Sequence, residues 1–360
     1  MTETTRIWPD VAIPPGEVLS ETIEALGLTQ AELARRMGRP AQAVNEIVRG
    51  SKEITPETAL QLERVVGVPA HVWTRLDADY RYNKARLQDL EQLDAEKERA
   101  APFPYNEMSK YGWVPRTRDP LERTSELLKF FGVASLAMVK QFEQAAYRIA
   151  RSRECSPEAL AAWVRQGERV AQGIAAEPFD AKALRAAVPA FRALTKKPPE
   201  EFLPDLRNRL ASMGVILVLV PHLTKTYAHG ATFWIARDRA VIQMSIRYRW
   251  DDVFWFSFLH ELGHLLKHGK GSVFIELSDG SKNAREAEAD AFASESLIPP
   301  TFHEQLVSQG PPFARNFVIA FAERLGVAPS IVVGRLQHEN LLPHSHLNSL
   351  RSRFTWAEEE

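Results

Sequence analysis

The sequence has very little cysteine and no long apolar run. Cys155 is the only cysteine among 360 residues, which excludes an internal disulfide and a cysteine-based metal site. No apolar run approaches the roughly 20 residues needed to span a bilayer, and the N-terminus MTETTRIWPD lacks the basic and apolar regions of a signal peptide. We therefore expect a cytoplasmic protein that has no membrane partner.

Neither sign of charge dominates the chain. It carries 45 basic and 46 acidic residues, and 45% of its residues are hydrophobic, enough to form cores in two or three domains. Helical periodicity dominates, and apolar strands are predicted only at 214–221, 231–236 and 240–245. The sequence thus predicts a mainly α fold with a small β-sheet (α+β).

Histidine is scarce, yet two of the ten histidines stand four apart in His260-Glu261-Leu262-Gly263-His264. On a helix this spacing places both imidazoles on one face, where they can share a tetrahedral zinc ion. Glu261 lies beside the open position of such an ion and can take a proton from bound water as a general base. The alternative is an amphipathic helix whose histidines are only hydrogen-bonded.

A second helical segment offers the third ligand. Glu286 and Asp290 are four apart and share a helix face. Glu286 can bind the zinc while Asp290 orients a ligand histidine through its other ring nitrogen. Glu288 is the second choice of ligand, and a solvated acidic face is the alternative. His268 lies too far along a straight helix from His260 to share one ion, so we expect a helix-end residue or a substrate contact.

Three residues just before this region are candidates to stabilise the oxyanion of a tetrahedral intermediate or to contact substrate. They are Tyr227, His229 and Arg247. Tyrosine and histidine are as often structural, so this role is open. An edge of the small predicted sheet is expected to pair with an extended substrate backbone.

The N-terminal region has regularly spaced helix starts and stops. Thr29 and Glu32 form a capping box, and Gly38 ends the helix that they begin. Four residues then fall at the small-residue, turn and core positions of a helix-turn-helix: Ala34, Gly38, Val44 and Ile47. The alternative is a short helical bundle without affinity for DNA.

Charge around the second of these helices favours double-stranded DNA. Between positions 29 and 52, five basic side chains outnumber Glu32 and Glu46. Basic groups contact phosphates, whereas short polar side chains read base edges. The predicted DNA-binding residues are Arg39, Gln42, Asn45, Arg49 and Lys52. Glu46 can accept a hydrogen bond from cytosine or simply weaken phosphate binding.

The histidine motif and the Glu286–Ala293 segment together resemble the ImmA/IrrE family of zinc metallopeptidases over about residues 201 to 300. The resemblance implies His260, His264 and Glu286 as zinc ligands and Glu261 as the catalytic base. Members of this family act on repressors of the helix-turn-helix class, so the resemblance implies a repressor-like protein substrate.

Residues 16 to 82 resemble the HigA-type antitoxins of the Xre repressor class, a resemblance that includes Trp73 and the stretch from Asp77 to Arg81. Such proteins dimerise on palindromic operators. The resemblance therefore implies a homodimer on an operator and raises a cognate toxin as a possible partner.

These predictions divide the chain into four parts: a five-helix DNA-binding domain at 1–82, a helical middle region at 83–200, a metallopeptidase domain at 201–310 and a C-terminal helical extension at 311–360. Residues 195–199 are the candidate linker into the peptidase region. We predict a DNA-binding zinc endopeptidase that cleaves a transcriptional repressor or similar regulatory protein. The alternative is a HigA-type antitoxin or regulator whose peptidase-like domain is a sensor or partner-binding module without proteolysis.

Overall fold

The chain forms two compact units, Met1–Lys97 and Glu98–Glu360. In the computed structural model the described residues are 11–139, 155–269, 274–277 and 284–355, with the backbone alone described for 274–277. The finer division into four parts stays a prediction. The predicted linker at 195–199 covers the turn between two helices and the first residue of the second helix, and the apolar side chains of both helices share one core.

The first unit is helical throughout its described part. Its helices are α1 (Pro15–Ala25), α2 (Gln30–Met37), α3 (Ala41–Val48), α4 (Pro56–Val66) and α5 (Ala70–Ala100), the last of which continues past the unit boundary. The side chain of Thr29 caps α2 by accepting a hydrogen bond from the backbone N–H of Glu32. Gly38 ends α2 with φ of 68°, a conformation that glycine adopts without strain.

The core of this unit contains the residues that the helix-turn-helix spacing selected. Ala34, Val44 and Ile47 are all buried, and they pack in one cluster with Leu19, Leu33 and Trp73. Gly16 lets α1 begin directly against the end of α3, because a Cβ there would lie 1.9 Å from the carbonyl oxygen of Val48. The sequence prediction of a helix-turn-helix domain is confirmed.

The second unit is built around a four-stranded sheet. Its strands are β1 (Val215–Leu219), β2 (Ala228–Ala236), β3 (Arg239–Met244) and β4 (Phe274–Leu277), in the order β1-β3-β2-β4. β1 is parallel to β3, and the other two pairs are antiparallel. The predicted strands match β1 to β3, whereas β4 was not predicted.

Helices cover both faces of the sheet. Those before it are α6 (Tyr105–Lys110), α7 (Pro120–Phe131), α8 (Pro157–Gln172), α9 (Ala181–Leu194) and α10 (Pro199–Ala211). Those after it are α11 (Asp251–Lys267), α12 (Ala284–Leu297), α13 (Pro300–Gln309), α14 (Arg315–Leu325) and α15 (Pro329–His338). Short 3-10 helices cover Leu136–Val139 and Asn348–Leu350.

Strand alternation gives each face its own core, because successive side chains on a strand point to opposite sides. Ile216 and Val218 of β1 pack in the cluster that contains Trp163 of α8. Val215 and Leu217 pack in the cluster that contains Phe258 of α11. The mainly α architecture with a small sheet is confirmed, and it holds α11 flat against the sheet.

The start of α11 is fixed by an ion pair with the C-terminal segment. Arg351 donates from Nε to Asp252 Oδ1 at 2.8 Å and from Nη2 to Asp252 Oδ2 at 2.9 Å. The neighbouring Asp251 accepts a hydrogen bond from the backbone N–H of Ser352 at 3.1 Å. Such bidentate geometry restrains the orientation of the helix.

Among the described residues, no single helix has the length and apolar composition of a membrane span. The pair α14 and α15 passes that test only when taken together, with a bend of 113° at the break between the two helices.

Candidate functional site

Helix α11 brings two imidazoles together in the interior of the second unit. His260 and His264 are 2% and 1% exposed, and their Nε2 atoms lie 3.0 Å apart. The spacing of four residues on a helix places them on one face, as the sequence predicted. Two buried ring nitrogens that converge in this way have little access to water.

Helix α12 supplies a carboxylate to the same point. Glu286 Oε2 lies 3.1 Å from His260 Nε2 and 3.5 Å from His264 Nε2. Gly263 permits this approach of α12 to α11, because a Cβ there would meet Phe292 at 3.1 Å and the backbone of Ala289 at 3.3 Å. The ligand atoms of the three residues lie within 4.8 Å of one another.

This donor set fits a zinc ion. Zinc bonds of about 2.0–2.1 Å in a tetrahedron place neighbouring ligand atoms about 3.3 Å apart. The observed separations of 3.0, 3.1 and 3.5 Å bracket that value. Two histidines and one glutamate also form a donor set typical of catalytic zinc sites, which keep one position open.

The carboxylate of Asp290 orients the first histidine. His260 Nδ1 lies 2.9 Å from Asp290 Oδ1, so the imidazole can donate its Nδ1 proton there. That tautomer leaves the Nε2 lone pair directed at the shared position. Asp290 thus contacts the ring nitrogen of His260 that is not directed at the shared position, and its role behind a metal ligand stays a prediction.

A second chain of groups stands behind His264. His264 Nδ1 lies 2.9 Å from His268 Nδ1, and His268 Nε2 lies 3.2 Å from Glu288 Oε2. Donation from His264 to His268, and from His268 to Glu288, leaves His264 Nε2 free of its proton. The sequence predicts a helix-end residue or substrate contact at His268 and a second-choice ligand at Glu288, whereas the structure joins these two side chains to each other. The spacing of four residues from His264 to His268 was the sequence feature that could have indicated a contact between these two histidines.

The surroundings of the ligand groups shift their pKa values in ways that suit metal binding. Burial lowers the pKa of His264, which favours the neutral imidazole. Burial alone would raise the pKa of Glu286, but hydrogen bonds with His260 and His264 outweigh it and hold the pKa at about 2. A neutral imidazole and an ionised carboxylate are the forms that bind a metal ion.

Glu261 is buried against strand β2. It is 0% exposed, and Thr232 Oγ1 donates a hydrogen bond to its Oε2 at 2.5 Å. Gly230 leaves room for the carboxylate, because a Cβ there would lie 2.6 Å from Glu261 Oε1. Sequence reasoning placed Glu261 in the site but missed Thr232, since strand and helix residues 29 positions apart carry no local signal.

The candidate oxyanion residues gather beside the same strand. The guanidinium of Arg247 stacks over the ring of Tyr227 at 4.8 Å and over that of Tyr248 at 5.4 Å. The rings of His229 and Tyr248 lie 4.9 Å apart. His229 adjoins Gly230 in sequence, so this cluster borders the strand that holds Glu261. Stabilisation of an oxyanion by Tyr227, His229 or Arg247 stays a prediction.

The predicted DNA-binding residues lie on and around α3. Gln42, Arg49 and Lys52 are exposed, whereas Arg39 and Asn45 are half-buried. Arg39 donates from Nε to Gln61 Oε1 at 2.5 Å, and Asn45 donates to Gln30 at 3.3 Å. These bonds tie Arg39 to α4 and Asn45 to α2, leaving the other three more accessible to a groove.

Acidic side chains restrain part of this surface. Glu46 accepts a hydrogen bond from Gln42 at 2.9 Å and lies 3.8 Å from the ammonium of Lys52. Hydrogen bonds from Arg35 and Arg36 lower the pKa of Glu32 to about 2. Glu46 thus orders its neighbours on the exposed face of α3.

Two family models match separate parts of the chain. Residues 19–73 match the helix-turn-helix model, and residues 217–337 match a peptidase model described as an IrrE N-terminal-like domain. The second match contains all three candidate ligands as well as Glu261 and Thr232.

Curated relatives share shorter stretches. Virulence-associated protein I of Dichelobacter nodosus is 36% identical over 84 residues, which is 23% of this chain and 77% of that protein. The uncharacterized HTH-type transcriptional regulator YddM of Escherichia coli is 29% identical over 62 residues, or 17% of this chain and 66% of the regulator.

Solved structures of similar sequence cover about a quarter of the chain. The structure of the Pseudomonas aeruginosa antitoxin HigA with higBA promoter is 31% identical to the matched part of this chain, with a TM-score of 0.22. The match covers 24% of this chain and 95% of the antitoxin chain. A HigA-family addiction module antidote protein from Coxiella burnetii is 29% identical, with coverages of 24% and 94% and again a TM-score of 0.22. Residues 19–73 thus form a domain of the helix-turn-helix proteins, and residues 217–337 form a domain that matches the IrrE-like peptidase model.

Proposed function

We propose that this chain is a DNA-binding, zinc-dependent endopeptidase that cleaves a transcriptional repressor or a similar regulatory protein in the cytoplasm. One observation carries the proposal: three metal-binding atoms from His260, His264 and Glu286 converge within 4.8 Å. Glu261, directly next to the first of them in sequence, has a fully buried carboxylate. The IrrE-like peptidase match supports the same chemistry.

In this proposal some residues bind the metal ion and others orient the metal-binding side chains. His260, His264 and Glu286 would hold the zinc ion, which when bound supplies Lewis-acid polarisation and acidifies a water molecule. Asp290 and the pair His268 and Glu288 would keep the two imidazoles in the tautomer whose Nε2 carries no proton.

Glu261 is the proton carrier in this proposal. Its Oε2 is held by the hydroxyl of Thr232, and its burial excludes bulk water from the carboxylate. As general base it takes a proton from the attacking water, holds it on a carboxylate oxygen and delivers it to the amine that leaves. Of the two edge strands, β1 and β4, it is β4 that pairs with β2, the strand whose Thr232 contacts Glu261. β4 is therefore the edge that would pair with an extended substrate backbone.

We infer that the helix-turn-helix domain brings the peptidase to an operator as a homodimer. Arg49 and Lys52 are exposed near α3 and supply positive charge for phosphates, while Gln42 faces solvent on α3 itself. A protein bound at an operator is placed next to the repressors that bind there, which supports a repressor as the substrate. A cognate toxin is the corresponding partner if the domain acts as an antitoxin.

Removal of zinc is expected to abolish proteolysis. Purified full-length protein, loaded with zinc, is incubated with a panel of helix-turn-helix repressors, and cleavage is followed by mass spectrometry before and after treatment with a chelator. We expect cleavage of at least one repressor, loss on chelation and recovery when zinc is added back. Specific DNA binding without cleavage of any repressor would instead support a regulator whose peptidase fold binds a partner.

Substitutions at Gln42 on α3 and at Arg49 just after it are expected to show which residue contacts phosphates and which one recognises bases. Arg49→Ala should weaken binding to any duplex and reduce the salt dependence of binding by about one unit of slope, whereas Gln42→Ala should relax base preference. Binding is measured by fluorescence anisotropy over a salt series and by selection from a randomised duplex library. Arg75→Ala, an exposed change on α5, is the control. Unchanged affinity and preference in both variants would show that α3 is not the recognition helix.

A further inference from the structure

A pocket of about 280 Å³ opens between α11, α12 and α15. Its apolar wall consists of Val253, Phe256, Leu297, Ile298 and Ile331. His229 of β2 and Tyr248, which follows β3 in the chain, line the same space. His229 is the one lining residue with a predicted role in catalysis or substrate contact, and the rest of the lining has no part in the proposed hydrolysis.

The pocket begins about one helical turn from the candidate metal ligands. Phe256 and Ser257 precede His260 by four and three residues, so they share its helix face and lie roughly 5 Å along the axis from it. The rings of Phe256 and His260 have centroids 6.3 Å apart. On α12, Ser294 follows Asp290 by four residues and also lines the pocket.

The volume of the pocket and the pairing of its charged residues favour a large, uncharged occupant. A dry cavity of about 150 Å³ is enough to bind benzene, so this volume accommodates a large side chain. Of its charged lining residues, Asp252 is paired with Arg351 at 2.8 Å and Arg335 with Glu339 at 2.7 Å. Because these charges already have partners, the pocket favours a neutral, apolar group over an ionised one.

We propose that this pocket receives a large apolar or aromatic side chain of the protein substrate, next to the peptide bond that is cleaved. The proposal rests on the proposed peptidase function, and it adds a sequence preference to that function. Phe256 and Ser257 lie one helical turn from His260, and Ser294 lies one turn from Asp290, so an occupant of the pocket would lie close to the candidate ligands. The pocket thereby makes cleavage selective for Leu, Met, Phe or a residue of similar character.

Three peptide hydroxamates test the proposal, because the hydroxamate group binds zinc and the adjacent side chain reports on the pocket. The probes carry alanine, leucine or phenylalanine side chains and are titrated calorimetrically into zinc-loaded full-length protein. We expect the leucine and phenylalanine probes to bind about 10–100-fold more tightly than the alanine probe, as burial of a whole apolar side chain predicts.

Filling the pocket should remove that preference. Ser294→Leu adds apolar volume from α12 and Val253→Phe adds it from α11, so each should abolish the advantage of the larger probes while leaving the alanine probe unaffected. Ser296→Leu, on α12 but outside the pocket lining, is the matched control and should keep the preference.

The outcomes separate the two proposals. Equal binding of all three probes to the unmodified protein, or a preference that persists in both filled variants, would overturn the pocket proposal and leave the peptidase intact. Failure of every hydroxamate to bind zinc-loaded protein would overturn the peptidase function and the pocket proposal with it.

Discussion

Replacement of Glu261 by glutamine is expected to lower the rate of repressor cleavage by about 10³-fold, within the range that general acid–base catalysis contributes. The amide keeps the size of the carboxylate and its oxygen can still accept the hydrogen bond from Thr232. It cannot take a proton from water at neutral pH. The structure should therefore persist while the proton transfer is lost, and initial rates on one repressor substrate measure the effect.

Two controls separate lost chemistry from lost structure. Zinc content and the midpoint of thermal unfolding should be unchanged in Glu261→Gln, because Glu261 is not among the three converging ligands. Glu295→Gln, an exposed change on α12, should leave the rate as it is. A Glu261→Gln protein that cleaves as fast as the unmodified chain would remove Glu261 from the mechanism.

Gly230→Ala is expected to lower the cleavage rate by about 10²-fold without loss of zinc, since a displacement of about 1 Å in a catalytic group can have that effect. The new Cβ would lie 2.6 Å from Glu261 Oε1 and 2.8 Å from Glu261 Cγ. Glu261 is fully buried, so it must shift away from β2 and from the hydroxyl of Thr232. The cleavage rate and the zinc content of the same preparation are the measurements.

Gly173→Ala provides the matched control. Its Cβ would meet only the carbonyl oxygen of Val170, at an ordinary contact distance of 3.6 Å. We expect its cleavage rate to equal that of the unmodified chain. Equal rates for Gly230→Ala and Gly173→Ala would show that the position of Glu261 against β2 does not matter for the reaction.

Local patterns in the sequence were sufficient for the elements that carry the site. The spacing of His260 and His264 fixes their common face because helix geometry is regular. Capping by Thr29 and the left-handed conformation at Gly38 also depend only on neighbouring residues. The helix-turn-helix could therefore be predicted from the sequence alone. The same helix geometry places Glu286 and Asp290, which are four residues apart, on one face of α12.

Contacts between distant segments could not be predicted in this way. The hydrogen bond from Thr232 to Glu261, the ion pair of Asp252 with Arg351 and the bond from Arg39 to Gln61 join residues that only the fold brings together. β4 was missed because a four-residue strand carries too short a pattern to distinguish from a loop. The pocket beside His260 likewise depends on how three separate helices pack against one another.

The zinc content of the purified chain decides whether His260, His264 and Glu286 form a metal site. Full-length protein is loaded with zinc, freed of excess metal by gel filtration and analysed by inductively coupled plasma mass spectrometry. We expect about one zinc per chain in the unmodified protein and in the control Glu295→Ala, and loss of that zinc in His264→Ala and in Glu286→Ala. An unmodified chain that holds no zinc, or ligand variants that keep it, would contradict the assignment of this site.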